Sequence, residues 1–303
     1  MQLDVNLSGL KLKNPIITAS GTFGYGPEYQ KYGDLSLLGG MVVKGLSLKP
    51  RQGNPMPRIA ETSCGMLNAI GLQNIGAEKF VQDKLPYLPW HSTPVIANLY
   101  AQHCSEFAEL AAYLAKQQEI AALEVNISCP NVKQAGVQFG QDPVMASKVC
   151  RAVKDNAGSK PVIVKLSPNV SNIAYIAREV EQAGADCLSL INTLSAMAVD
   201  IYSRKPRVAN IIAGLSGPAI KPVALRMVYQ VCQSVDIPVI GIGGIVSADD
   251  VLEFILVGAH AVQIGSANFV SPDRSFRLVQ ELADKCAELE INDWADFRGK
   301  LNT

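Results

Sequence analysis

The chain has 303 residues, of which 48 % are hydrophobic and 18 % charged, enough apolar material for a large core and too little charge for general disorder. Lys+Arg and Asp+Glu are both 27, so no basic face for nucleic acid or an anionic membrane surface is implied. The seven cysteines are scattered with no C-x-x-C pair, which excludes the usual zinc and iron–sulfur spacings; no metal is expected.

Met1 to Asn14 alternates apolar and polar residues and lacks the basic start and apolar block of a signal peptide. Leu3–Val5 and Leu10–Leu12 flank Ser8-Gly9 and predict a hairpin ahead of the main fold, covering its base. The stretch Leu85 to Ser105 is free of charge but holds Pro86, Pro89, Pro94, Asn98 and Gln102, which argues against a membrane span. A cytoplasmic protein is expected.

Short apolar, β-branched runs then recur: Pro15–Ser20, Gly40–Lys44, Pro94–Asn98, Ala122–Ile127, Pro161–Lys165, Cys187–Asn192, Pro238–Gly244 and Ala261–Ser266. Several begin with proline, which suits a first strand position. Helical patterns separate most of them. Ser105–Gln117 has Ser105 as a candidate N-cap, Asp142–Asn156 has Pro143 in its first turn, and Asn172–Ala183 stops before Gly184. Lys221–Ser234 and Asp273–Leu289 also read as helices, and Ser247 to Asp250 resembles a capping box ahead of Val251–Val257. Eight strands alternating with helices imply parallel pairing through right-handed crossovers. At this length the expected fold is α/β: one (β/α)8 TIM barrel spanning residues 1–303, with the N-terminal hairpin and insertions in the loops at the strand ends.

In such a barrel the active site lies at the carboxyl ends of the strands. Those ends carry Ser20, Lys44, Asn98, Asn126, Lys165, Asn192-Thr193, Gly243-Gly244 and Gly265-Ser266. Strands must end in polar or glycine residues where loops begin, so any one position is unremarkable alone. Two lysines in the set ask for anionic partners, because a buried ammonium is costly without one. The glycine turns after strands seven and eight fit a phosphate cradle of backbone N–H groups, although Gly241 to Gly244 is not a dinucleotide fingerprint.

Asn126-Ile127-Ser128-Cys129-Pro130-Asn131 is the most informative stretch. A lone cysteine is most often a small buried hydrophobe. Here Cys129 follows a strand and precedes proline, in a loop at the expected site, where a thiol can act as base or nucleophile. Asn68-Ala69-Ile70-Gly71-Leu72-Gln73-Asn74 is a second asparagine-rich loop, after strand two. Carboxamides pair a donor with an acceptor, the complement of an imide or ureide edge; turn formation is the bland alternative.

With these motifs the chain resembles the class 1 dihydroorotate dehydrogenases, most closely the catalytic subunit of the B type. The resemblance runs from about Leu3 to Gly299. It rests on Asn68–Asn74, Asn126–Asn131 with Val132-Lys133 and Phe139-Gly140, Asn192-Thr193, Leu215–Pro222 and the two glycine turns. The family oxidises dihydroorotate to orotate on FMN in pyrimidine biosynthesis. By this resemblance Cys129 is the base at C5 while a hydride leaves C6 for flavin N5. The substrate would be held by Lys44, Asn68, Ala69, Ile70, Gly71, Leu72, Asn126, Asn192 and Thr193. FMN would be held by Ser20, Lys44, Gly45, Asn98, Asn126, Lys165, Ile191, Gly217, Gly243, Gly244, Gly265 and Ser266. The B type passes electrons to NAD through a partner subunit carrying FAD and a [2Fe-2S] cluster, which implies a catalytic homodimer within an α2β2 assembly. Alternatives are an A-type enzyme using fumarate directly, a relative of dihydropyrimidine dehydrogenase, and a non-catalytic flavin- or phosphate-binding barrel. One departure is visible: the substrate-covering loop Thr193–Asp200 carries Ala196 where glycine is expected.

Overall fold

The computed structural model describes residues 3–127 and 139–302. The chain opens with β1 (Val5–Leu7) and β2 (Leu10–Leu12), an antiparallel hairpin turning at Ser8 and Gly9, both at positive φ. The first strand lies two residues later than the expected Leu3–Val5, and the second is at Leu10–Leu12 as expected. Leu7, Leu10 and Leu12 are buried, and Ser8 Oγ donates to the carbonyl of Asp186, just ahead of a barrel strand. The hairpin therefore covers the amino-terminal end of the barrel, as expected.

The remaining elements in chain order are β3 (Ile16–Thr18), β4 (Gly40–Val42), β5 (Ile59–Thr62), β6 (Gly65–Asn68), α1 (Ala77–Asp83), β7 (Val95–Leu99), α2 (Cys104–Ala115), β8 (Ile120–Asn126), α3 (Pro143–Lys154), β9 (Val162–Lys165), α4 (Ile173–Gln182) and β10 (Cys187–Leu190). Then come β11 (Leu194–Ala196), β12 (Val199–Asp200), β13 (Lys205–Pro206), β14 (Ala213–Ser216), α5 (Lys221–Cys232), β15 (Val239–Ile242), α6 (Ala248–Leu256), β16 (Ala261–Ile264), α7 (Ala267–Val270) and α8 (Arg274–Glu288). Strands β3, β4, β7, β8, β9, β10, β15 and β16 close a parallel barrel in sequence order. All eight predicted strands are barrel strands, because a strand buried on both faces leaves a continuous apolar run.

The four prolines stand one residue ahead of their strands rather than at the first position. Each still serves the ladder: the carbonyls of Pro15, Pro94, Pro161 and Pro238 accept from Val262, Met41, Leu123 and Leu188 on neighbouring strands. Proline lacks only the donor, so it can contribute at this edge.

The outer helices bury one stripe. In α4 it is Ile173, Ile176, Ala177 and Val180, and in α3 Ala146, Val149, Cys150 and Val153, spacings of three and four that keep one face inward. Side chains of Asp142, Asn172 and Ser247 cap α3, α4 and α6, and Asp250 closes the predicted box. Ser105 is not a cap. α2 starts earlier, and Glu106 reaches back to the N–H groups of Gln102 and His103.

The insertions form more regular structure than the sequence suggested. Strands β11, β14, β6 and β5 make a separate antiparallel sheet. The segment Thr193–Asp200, read as a loop, contains β11 and β12. Ala196 pairs with Ala213 in extended backbone, so an alanine sits there without strain. Asn68, read in a loop, ends β6. Alternating half-burial in strands of three or four residues hid this sheet from the sequence.

Candidate functional site

The carboxyl ends of the barrel strands bring most of the predicted residues together. After β4 the chain runs on through Lys44 and Gly45, held by Lys44 N–H to Gly24 O and Leu46 N–H to Asn98 O. Lys44 Nζ lies beside Gly21, where an added Cβ would be 3.3 Å away. No carboxylate among the described residues pairs with Lys44, and burial pushes its pKa below the ordinary lysine value. A cation so placed favours an anionic ligand.

Asn98 ends β7's inward face with 1 % exposure, and its Oδ1 has no hydrogen-bond partner among the described residues. A Cβ on Gly45 would come within 2.9 Å of that oxygen, so Gly45 leaves it open. Lys165, at the end of β9, is 6 % exposed and directs Nζ to Gln263 Oε1 at 3.5 Å. Asn192 Nδ2 donates to Asn126 Oδ1 at 3.4 Å, and Asn192 Oδ1 accepts from Thr193 N–H at 2.8 Å. The N–H of Ile191 is fixed to Ile242 O at 3.0 Å, which ties the β10 end to β15.

The glycine turns wall one side. Gly243 and Gly244 have φ of 133° and 74°, and a Cβ on Gly244 would lie 3.0 Å from Gly217 O. Gly217, far away in sequence, thus adjoins the β15 turn. Lys221 there is already paired with Asp250 and Glu253. Gly265 lies beside Ala19 and Thr22, and Ala19 N–H donates to Ile264 O, which sets Ser20 next to Gly265 and Ser266. Backbone surfaces with little side-chain bulk allow close approach of a phosphate.

The second sheet borders this mouth. Asn68 Nδ2 donates to Gly214 O, and a Cβ on Gly214 would collide with the Thr193 hydroxyl, so Asn68, Gly214 and Thr193 are neighbours. Beyond Asn68, the backbone is engaged in holding its own shape. Ala69 O accepts from Asn54 Nδ2, Ile70 O from Asn54 N–H, and Leu72 O from Asn74 Nδ2. Gly71 and Leu72 take positive φ to make that turn. Cys129, with Ser128 and Pro130 to Lys133, lies outside the described residues.

One group escaped the sequence reading. Glu124, fully buried in β8, accepts from Asn98 Nδ2 (2.6 Å), Ser189 Oγ (2.9 Å) and Gln263 Nε2 (2.6 Å). Since β10 and β16 do not adjoin β8, these bonds cross the barrel interior. The legible signal was a carboxylate inside the apolar run of β8 and an amide inside that of β16, both of which demand partners once buried.

The residues fit FMN: the buried Lys165, the half-buried Lys44, an open buried acceptor and two glycine turns converge from different strands. The dihydroorotate dehydrogenase family model matches residues 2–286. The chain is 68 % identical to "Dihydroorotate dehydrogenase B (NAD(+)), catalytic subunit" of Solidesulfovibrio magneticus, over 98 % of this chain and 97 % of that one. It is 62 % identical to the protein of that name in Maridesulfovibrio salexigens, over 99 % of each, and 55 % identical to that of Geotalea uraniireducens, over 99 % and 98 %. No helix among the described residues is long and apolar enough to cross a membrane. The chain belongs to the dihydroorotate dehydrogenase family.

Proposed function

We propose that this chain, a single domain over residues 1–303, oxidises dihydroorotate to orotate as the catalytic subunit of a B-type, NAD-linked enzyme of pyrimidine biosynthesis. The observation that carries the reading is the convergence of Lys44, Asn98 and Lys165 with the Gly243-Gly244 and Gly265-Ser266 turns at one barrel mouth. When bound, FMN supplies the acceptor for the hydride that leaves C6 of the substrate.

The chain's own residues divide the remaining work. Ser20, Gly217, Gly243, Gly244, Gly265 and Ser266 line the phosphate end, where backbone N–H groups meet a dianion without side-chain interference. Gly45, Asn98, Asn126, Lys165 and Ile191 line the ring end, and Lys165 places positive charge where negative charge develops on reduction. Lys44 pairs with the substrate carboxylate. Asn68 to Leu72, Asn126, Asn192 and Thr193 form the substrate's polar surround. With the backbone carbonyls of Ala69 and Ile70 already engaged, Asn68 offers its side chain. Cys129, three positions beyond the end of β8, takes the C5 proton on Sγ. Onward electron transfer runs through a partner subunit with FAD and a [2Fe-2S] cluster in a cytoplasmic α2β2 assembly.

Anaerobic bleaching of flavin by dihydroorotate tests this. Cys129→Ala should slow bleaching by roughly 10²–10⁴-fold, the usual contribution of a positioned base. Cys129→Ser should retain slow reduction displaced to higher pH, because a hydroxyl is the weaker acid. Unchanged bleaching in the alanine variant would remove Cys129 from the role. Steady turnover with fumarate, and no NAD reduction with the partner present, would remove the B-type assignment.

A further inference from the structure

The hydrogen bonds inside the barrel have a direction, and one residue sets it. Glu124 is fully buried, and its carboxylate accepts on both oxygens: Oε1 from Ser189 Oγ and Gln263 Nε2, Oε2 from Asn98 Nδ2. An ionised carboxylate can only accept. It therefore dictates which way two amides face. Asn98 must present Nδ2 to Glu124, which aims Oδ1 into the gap beside Gly45, where it has no partner among the described residues. Gln263 must present Nε2 to Glu124, which leaves Oε1 toward Lys165 Nζ. Turning either amide over would set oxygen against carboxylate in a site shut off from water, where such a mismatch is most costly.

We infer that Glu124 is a positioning residue that fixes the amide of Asn98 so that the barrel mouth offers a hydrogen-bond acceptor to a ring N–H of the bound cofactor. The inference rests on the FMN reading of this mouth. Glu124 does not itself touch the ligand: it acts through Asn98, and its bond to Gln263 orients the acceptor that faces Lys165.

The atom assignments supply a selective test. In Glu124→Gln, Oε1 can still accept from Ser189 and Gln263, but an NH2 group replaces Oε2. That group faces Asn98 Nδ2, donor against donor, so the Asn98 amide must turn and present its own NH2 to the mouth. In the double variant Glu124→Gln with Asn98→Asp, the new NH2 donates to the aspartate, whose other oxygen again faces the mouth. The exchange reverses the bond's direction and keeps one carboxylate in the layer.

Flavin-stripped wild-type chain and both variants are titrated with FMN, following the quenching of its fluorescence, and the melting temperature of each flavin-free protein is recorded. Glu124→Gln should weaken FMN binding by roughly ten- to a hundredfold, the effect of mispairing buried polar groups. The double variant should recover to within about fivefold of wild type. Glu124→Gln binding within twofold of wild type, or a double variant no better than the single, would overturn the inference. A fall in melting temperature with FMN affinity intact would mark Glu124 as purely structural and overturn it too. If Glu124→Gln alone does not fold, the double variant decides: folded with near-wild-type binding supports the inference, and failure to fold counts against it. Wild-type chain that takes up no FMN would defeat the reading of the site and this inference with it, whereas normal wild-type binding with an unaffected variant defeats the inference alone.

Discussion

The barrel and the antiparallel sheet at its mouth handle polar groups in opposite ways. The barrel buries Asn98, Glu124, Lys165, Ser189 and Gln263 in its interior and joins them by hydrogen bonds that cross from strand to strand. The sheet of β5, β6, β11 and β14 has a small core of its own, Leu67, Ala69, Val208 and Ala213, and leaves much of its remaining surface half-exposed. Bonds from three strands converge on Glu124 and satisfy both its oxygens, leaving Asn98 Oδ1 open toward the mouth, so the barrel end of the site is the more rigid part. A sheet with few buried contacts opens locally at lower free energy, which suits residues that must admit and release a substrate. Asn98 and Lys165 stand on the rigid part, Asn68 and Thr193 on the part better able to move.

The largest effect that sharpens this contrast comes from Glu124→Leu. It strands three buried donors, each worth about 1–3 kcal/mol when left unsatisfied, and should lower global stability by roughly 4–6 kcal/mol in denaturant unfolding. A loss under about 1 kcal/mol would mean that the barrel network is not under tension to be complete.

Leu67→Ala comes next. Truncating this 1 % exposed side chain should cost about 2–3 kcal/mol within the second sheet. It should raise KM for dihydroorotate several-fold while leaving FMN affinity within twofold. If the global unfolding midpoint falls by the full amount and FMN binding weakens with it, the two regions are one cooperative unit and the contrast fails.

Gly9→Ala probes the opposite end of the barrel. Gly9 has φ 97° with nothing within 4 Å of an added Cβ, so the cost is backbone strain alone, about 1–2 kcal/mol. Turnover should be unchanged; an altered kcat would show that the base of the barrel is coupled to its mouth.

The smallest effect is a slope with pH. Burial holds Lys44 below the ordinary lysine value of 10.5, so the unfolded chain keeps this proton to higher pH than the folded one. Its charge therefore opposes folding at neutral pH. That penalty is relieved as pH rises through the folded value toward 10.5. Flavin-free Lys44→Met should melt above wild type near pH 7, with the gap narrowing toward pH 10. A constant gap would mean that the lysine's charge is not what burial penalises.

Much of this protein could be read from its residues in order. Strands such as Val95–Leu99 and Val162–Lys165 announce themselves because burial on both faces requires unbroken apolar runs. Helices such as Ile173–Gln182 do so by spacing and by the side chain that caps them. The residues at the strand ends follow, since a closed parallel barrel gathers those ends on one face. Two things waited for the tertiary structure. The sheet at the mouth pairs β6 with β14, Leu67 opposite Leu215, and such long-range pairing leaves little trace in strands this short. The role of Glu124 also depends on partners from β7, β10 and β16. A carboxylate in an apolar strand declares that it needs donors, but only the closing of the barrel supplies them, and only their positions decide which way Asn98 faces.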